Sequence, residues 1–470
     1  MVALRRENCW CNKKLSRIIA RHSTFRIQLK EAGIGLLDCI NMKEKLNRKT
    51  PPPIHQVTSL TLLTPSVSRL DNGIPVYATR LGTQEILKIE LVIRAGRPEE
   101  HRRLASRMTA RLLREGTPTY ISAQIAEKLD FFAGTLQTSA GMDTINVSLY
   151  CLTKHLPNLL PIVAEMLIAP TFPDRELAIV ADNNIQRLAV ELSKNDVLAY
   201  RKITAMIFGE QTAYGYNSVP DDYRTITTAD CCRFHSDYYT ADRMSLFISG
   251  YFDDATLRLL NQYLGQIPVA TKTPSLIDPL SISTKNAPHN VRLPHPDSMQ
   301  TAIRIGRQFG NRHHPDYNGF FMLNTIFGGY FGSRLMSNIR EDKGFTYNIN
   351  SSTDTMHHDG YFYIGSEVGN DVVDKTVAEI YKEMEILKND LVPDEELAMV
   401  KNYLLGNMLN MVDGAFPVGD VVRTFITEGL PFEAWDSFVE KIRTIQAPEI
   451  RDLAQRYFKK EDFFEVIIGV

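Results

Sequence analysis

The chain has 470 residues, 44% hydrophobic and 23% charged, a balance that supports real cores in two or more domains and excludes a disordered polymer. Lys and Arg number 53 against 55 Asp and Glu, so no net field draws the chain toward nucleic acid or anionic lipid, and no run reaches the roughly 18 apolar residues of a membrane-spanning helix. The six cysteines, Cys9, Cys11, Cys39, Cys151, Cys231 and Cys232, are too sparse for a disulfide framework, which fits a reducing compartment.

Residues 1–41 stand apart, with Arg5, Arg6, Lys13, Lys14, Arg17, Arg21, Arg26 and Lys30 against only Glu7, Glu31 and Asp38. An Arg-rich, acid-poor stretch suits a mitochondrial transit peptide, but this one is poor in serine and lacks a clean amphipathic period. Met42 opens MKEKLNRKTPPPI, which has the look of a natural start. Residues 1–41 are therefore expected to be a leader or extension outside the fold, and residues 42–65 a lead-in.

From there, LDNGIPVYATRL (70–81) holds an Asn-Gly turn between apolar runs, a hairpin signal, and ILKIELVIRAG (86–96) alternates as a strand. Residues 99–115 carry helix formers without Gly or Pro, and TLQTSAGMDTINVSLYCL (135–152) reads as a hairpin. A helical pattern from Leu156 to Leu192 is broken at Pro170 and Pro173, with Asp174 placed to cap the second helix. Residues 271–295, rich in Pro, Ser and Thr, read as a linker. The order then repeats: a strand at 299–308, a helix from Pro315 to Phe327, a hairpin across 345–369 and two helices flanking Pro393.

The repetition is also literal. FPDRELAIV at 172–180 returns as VPDEELAMV at 392–400, and YYTADRMSLFISG, ending at Gly250, is echoed by RYFKKEDFFEVIIG, ending at Gly469. The expected fold is α+β: two homologous domains, 66–270 and 296–470, each a mostly antiparallel sheet with helices packed on one side.

Two such halves, the first with a helix running into Glu115-Gly116-Thr117 and the second with NTIFGGYFGSRLMSNIREDKGFTY (324–347), resemble the insulinase-like or pitrilysin family of zinc metallopeptidases. The resemblance covers residues 66–470 and implies one half of a four-domain clamshell. In that family the first helix carries H-x-x-E-H: two histidines one turn apart bind zinc, the glutamate activates water, and a distal glutamate completes the site. Here the motif positions hold Arg107, Ala110 and Arg111, and the distal position falls at Gln186 or Arg187. A guanidinium offers zinc no lone pair, and Ala110 cannot act as a base. The adjacent pairs His313-His314 and His357-His358 would chelate poorly on a strand, where neighbours point to opposite faces, and they read as surface or turn histidines. Glu99-Glu100-His101 reads either as a carboxylate–imidazole pair or as a solvated first turn, and Cys231-Cys232 lacks paired zinc spacing.

In the second half, Arg340 and Tyr347 keep the seven-residue spacing of the pair with which family members grip substrate across the cleft from zinc. Arg can bind a carbonyl or carboxylate and a tyrosine hydroxyl can stabilise an oxyanion; the plain alternative is a salt-bridging Arg at a helix end and a Tyr opening an ordinary strand. Arg103, Arg107, Arg111 and Arg114 recur at helical spacing, and like charges so placed cost about 0.2–0.5 kcal/mol per pair. Either solvent and nearby acids absorb this, or the stripe replaces zinc as a positive wall that binds acidic groups.

The resemblance implies a non-catalytic subunit of a heterodimeric zinc peptidase. Arg340 and Tyr347 would grip peptide or unfolded polypeptide added to a sheet edge, while zinc and base sit on an H-x-x-E-H partner and none is bound by this chain. The alternative is a catalytically dead peptide-binding or scaffold protein similar to respiratory-complex core subunits. A bacterial cytoplasm is expected rather than a mitochondrion, with no nucleic acid bound and no membrane insertion.

Overall fold

The computed structural model describes residues 57, 59–270, 282–284, 286–296 and 298–470. The basic leader, three of the cysteines, the triple proline and residues 271–281 and 285 of the expected linker lie outside them. In the first half the alternating runs become β1 (Ser66–Arg69), β2 (Pro75–Arg80) and β3 (Ile86–Ile93). Helices α1 (Ala105–Leu112) and α2 (Ser122–Phe131) and the hairpin β4 (Thr135–Ala140) and β5 (Ile145–Leu152) follow. Next come α3 (Leu156–Ile168), α4 (Asp174–Glu191), α5 (Asn195–Phe208), α6 (Pro220–Thr225) and α7 (Thr228–Tyr238), then β6 (Met244–Gly250) and α8 (Asp254–Leu264).

The second half runs β7 (Asn290–Pro294), β8 (Gln300–Gln308), α9 (Tyr317–Asn324), β9 (Thr346–Thr355) and β10 (Gly360–Gly369). It closes with α10 (Val373–Asn389), α11 (Asp394–Met411), α12 (Ala415–Thr427), α13 (Glu433–Thr444), α14 (Ala447–Tyr457) and β11 (Phe464–Gly469).

Strand order is β1-β2-β6-β3-β5-β4 in the first sheet and β7-β11-β8-β10-β9 in the second. The orders superimpose once β1 is set aside, each with a single parallel pair, β2 with β6 and β11 with β7. The repeated nonapeptide opens α4 and α11, which are each 18 residues long and each follow a proline at the cap. Asp174 does not cap α4: it is the first helical residue, and its carboxylate accepts from the Thr228 hydroxyl at 2.8 Å. The end of the expected linker is also structured, since β7 lies within it and Ile282 is buried.

Each sheet packs its own helices on one face, around Leu87, Ile89 and Leu91 in the first half and Ile303, Ile305 and Ile364 in the second. The opposite faces are not free, because the halves exchange helices. From the first half, α5 buries Ala199, Ile203 and Ile207 against Ala302, Val466 and Ile468 of the second sheet. In return, α12 buries Val418 and Val422 against Val92 and Phe247 of the first. Each buried valine contributes roughly 1.5–3 kcal/mol. The α12 backbone reaches the sheet because position 419 is Gly; a Cβ there would collide with the Ser249 hydroxyl. No helix among the described residues is long and apolar enough to cross a membrane.

The helix expected over 99–115 is broken at Leu104, whose φ of 72° is left-handed and costly for a branched side chain. Glu100 holds the break. Its carboxylate accepts from the Leu104 amide (3.2 Å), the Ser106 amide (3.0 Å) and hydroxyl (2.5 Å), and the Tyr216 hydroxyl (2.6 Å). It therefore satisfies the open amides at the start of α1, in a buried setting rather than a solvated first turn. Burial raises its pKa above the usual glutamate value, against the lowering effect of these hydrogen bonds.

Glu100→Ala, which strands those donors, is expected to cost about 1–3 kcal/mol in a urea titration. The pH dependence has a definite sign: a carboxyl with a raised native pKa binds its proton more tightly when folded, so its stabilisation is complete below the unfolded pKa and is lost as pH rises through the native one. The wild type should lose stability over that window relative to Glu100→Gln, and parallel pH profiles would refute the assignment.

Candidate functional site

At the four degenerate positions, Arg107 and Arg111 are exposed on α1, Ala110 is buried in the core at 1% exposure, and Gln186 and Arg187 are exposed on α4. None of them is a histidine, carboxylate or thiolate: the guanidiniums and Ala110 offer zinc no lone pair, Gln186 offers only a neutral amide oxygen, and a glutamate at 110 would point into apolar packing. The residues present therefore do not fit the family's metal. Among the described residues no group of three His, Cys, Asp or Glu side chains is placed to hold a metal ion.

The histidine pairs lie in turns, as expected of them. His313 Nε2 is 2.7 Å from the Glu428 carbonyl, while His314 Nδ1 accepts from the Asp316 amide at 3.1 Å. The His357 amide donates to Asp143 (2.9 Å), joining the β9–β10 turn to the β4–β5 turn. Cys231 is buried, with its thiol pushed up to about 12, and Cys232 is exposed.

The arginine stripe survives folding only in part. Arg103 precedes α1 and turns to the Gln211 side chain (2.8 Å) and the face of Tyr216 (5.0 Å). Arg111 donates to Glu115 at 2.7 Å, and Arg114, past the helix end, lies 3.5 Å from the Leu136 carbonyl. Arg107 makes no hydrogen bond or ion pair among the described residues. The break at Leu104 takes Arg103 off the helix and Arg114 lies past its end, whereas Arg107 and Arg111 remain an i,i+4 pair on α1, with Glu115 offsetting the charge of Arg111.

The second-half segment is built differently from a plain helix and strand. After α9 the chain widens into π-type turns at Thr325–Gly329 and Met336–Asp342, a form common at functional sites. Gly328 lets the first turn press onto β9, since a Cβ there would collide with Ser351. Arg334 anchors the loop by a two-pronged pair with Glu396 of α11 (2.9 and 2.8 Å), so this arginine is a structural brace.

Arg340 sits in the second π turn with its guanidinium 4.7 Å from the Phe331 ring centre. Gly344, at φ 65°, then turns the chain into β9. Tyr347 stands on that edge strand at 90% exposure. Its strand is not ordinary: Tyr347 and Asn348 together oppose Glu367 alone, a β-bulge of the kind that re-aims a side chain. Arg340 and Tyr347 line one cavity of about 680 Å³, with Thr346, Gly369 and Asp371. A second cavity, also about 680 Å³, lies on the first sheet and holds Arg111, and the two share no residue.

The first sheet meets α12 through a charged cluster that sequence reading missed. Lys88 Nζ is 2.8 Å from Glu90 and 2.6 Å from Asp420, while Arg423 Nε is 3.2 Å from Glu90. Burial pushes the Lys88 pKa down, but hydrogen bonds and attraction from Asp420 and Glu90 outweigh it and leave the pKa raised. The only sequence signal was two charges inside an apolar strand.

Comparison with known proteins closes the question of kinship. The family model described as insulinase (peptidase family M16) matches residues 77–218, and that described as the peptidase M16 inactive domain matches 225–404. The uncharacterized zinc protease YmxG of Bacillus subtilis is 20% identical over 76% of this chain and 85% of its own length. The non-peptidase homolog YmxG of Helicobacter pylori is 21% identical over 77% and 84%. A peptidase M16 inactive domain from Pseudomonas fluorescens, 21% identical, shares the fold with a TM-score of 0.76 over 87% of this chain and 98% of its own. With family models matching both halves and the fold shared, the chain belongs to the insulinase-like, M16, peptidase family.

Proposed function

We propose that this chain is the non-catalytic subunit of a two-chain peptidase, gripping peptide through Arg340 and Tyr347 while a partner bearing H-x-x-E-H supplies zinc and the general base. The observation that carries this reading is the asymmetry between the halves. The four motif positions hold no histidine and no carboxylate, whereas Arg340 and Tyr347 share an open cavity at a sheet edge. An extended peptide adds to β9 by backbone hydrogen bonds, Arg340 takes a carbonyl or carboxylate, and the Tyr347 hydroxyl donates to the oxygen that gains charge. The other half of the site comes from the partner, because the Arg340 cavity shares no residue with the one beside this chain's own α1. The proposed setting is a bacterial cytoplasm, in line with the bacterial relatives.

The experiment is purification of the tagged chain at native level from its own cells, followed by native mass spectrometry. A stable complex near twice the chain's 53.3 kDa, with a second protein bearing H-x-x-E-H, is the expected result. Self-association only, or a large assembly without such a protein, would replace this reading with a scaffold role.

A further inference from the structure

Helix α5 uses both of its faces. Ala199, Ile203 and Ile207 press onto the second sheet, while Leu198, Arg201, Lys202 and Ala205, spaced i, i+3, i+4 and i+7, share the other side. That side lines a cavity of about 470 Å³, within the roughly 300–1,000 Å³ range of ligand sites. Its remaining walls are Arg103 and the 210–219 loop of the first half and the end of β7 from the second. The cavity is apolar at one end and cationic at the other. His295, just past β7, approaches Asn195 at the start of α5 (Nδ1 to Oδ1, 2.5 Å), which sets Leu293 toward the Leu198 end. At the other end Lys202 pairs with Glu210 (3.3 Å) and Arg103 donates to the Gln211 side chain (2.8 Å).

Charge in this cavity is unbalanced. Arg103, Arg201 and Lys202 face a single carboxylate in the lining, Glu210, and Lys202 is its partner. Arg103 and Arg201 make no ion pair among the described residues. Arg201 donates only to the Ser218 carbonyl (2.7 Å), although a guanidinium carries five N–H donors. Burial lowers its pKa below the usual arginine value, so the group has lost water without gaining a counter-charge. Asp222, whose charge reaches Arg201, accepts instead from the Val219 amide (2.8 Å). At the apolar end Leu293 is left 40% exposed.

We propose that this cavity binds a small amphiphilic carboxylate, its head held by Arg201 and Arg103 and its aliphatic tail laid along Leu198 and Leu293. A guanidinium matches a carboxylate through two parallel, charge-assisted hydrogen bonds. Each methylene that leaves water against the leucines gives about a fourfold gain in affinity. A neutral alcohol forgoes the first contribution and acetate the second. The site shares no residue with the Arg340 cavity and needs no partner subunit, so it stands or falls apart from the peptidase reading.

The test is isothermal titration calorimetry of the whole chain with octanoate, octan-1-ol and acetate, below the concentration at which octanoate forms micelles. Octanoate is expected to bind at least about tenfold more tightly than either of the others, and Arg201→Gln to cancel its advantage over the alcohol. Leu293→Asp, on the exposed edge strand β7, keeps the site testable if Arg201→Gln fails to fold. It should weaken octanoate binding at least about tenfold, while Arg340→Ala leaves it unchanged. Equal binding of octanoate and octan-1-ol, or of octanoate and acetate, overturns the proposal. So does octanoate binding that Arg201→Gln and Leu293→Asp both leave intact.

Discussion

Tyr347→Phe, assayed in the two-chain complex proposed above, is expected to lower kcat by about two orders of magnitude, the effect of losing one donor to a developing oxyanion. Arg340→Ala should act mainly on KM, since a guanidinium that holds a carbonyl or carboxylate binds ground and transition states alike. Neither change should unfold the chain. Tyr347 is 90% exposed and, among the described residues, the Arg340 side chain makes only a ring contact and a 3.8 Å approach to Glu341, so stability should stay within about 0.5 kcal/mol of wild type. Full activity of both variants with intact assembly would show that the pair has no part in the chemistry.

Glu90→Ala is expected to destabilise the chain by about 3 kcal/mol, the low end for breaking a buried ion pair, measured by urea unfolding. Glu90 is 6% exposed, and its carboxylate is shared by Lys88, Arg423 and the Ser148 hydroxyl at 3.1 Å. Removing it leaves Lys88, itself 5% exposed, with Asp420 alone. The double change Lys88→Met/Glu90→Leu should recover most of the loss, because apolar side chains of similar size carry no desolvation cost. The raised native pKa of Lys88 places its contribution fully below the unfolded lysine value near ~10.4, with loss only as pH rises through the native one. The Glu90→Ala penalty should thus be flat across neutral pH, and a penalty that varied there would point to another group.

The covered faces explain why these halves behave as one unit. A sheet with one polar, open face needs no second half to fold, whereas each sheet here leaves an apolar area that only the other half's helix fills. Substitutions at Gly419 or Ile203 should accordingly disturb the half to which they do not belong in sequence.

Much of this was legible from residue order because the signals are local. The internal repeat set both halves to the same sequence of elements, alternation located the strands, and prolines at 173 and 393 marked the starts of matching helices. Loss of the zinc ligands needed only side-chain chemistry, since Arg107 and Arg111 cannot ligate in any fold. Tertiary structure decided what depends on distant partners. Lys88 and Asp420 are 332 positions apart, so neither the charged cluster nor the cavity beside it leaves a local trace. Leu104 takes a left-handed backbone because Tyr216 and Ser106 converge on Glu100, and that break removes Arg103 from the arginine stripe that helical spacing alone predicts. The bulge at Tyr347 exists only against Glu367 of the neighbouring strand, and it aims this tyrosine out of the edge. Spacing and side-chain chemistry are written along the chain, whereas burial, exchange of helices and the pairing of charges arise only where remote segments meet.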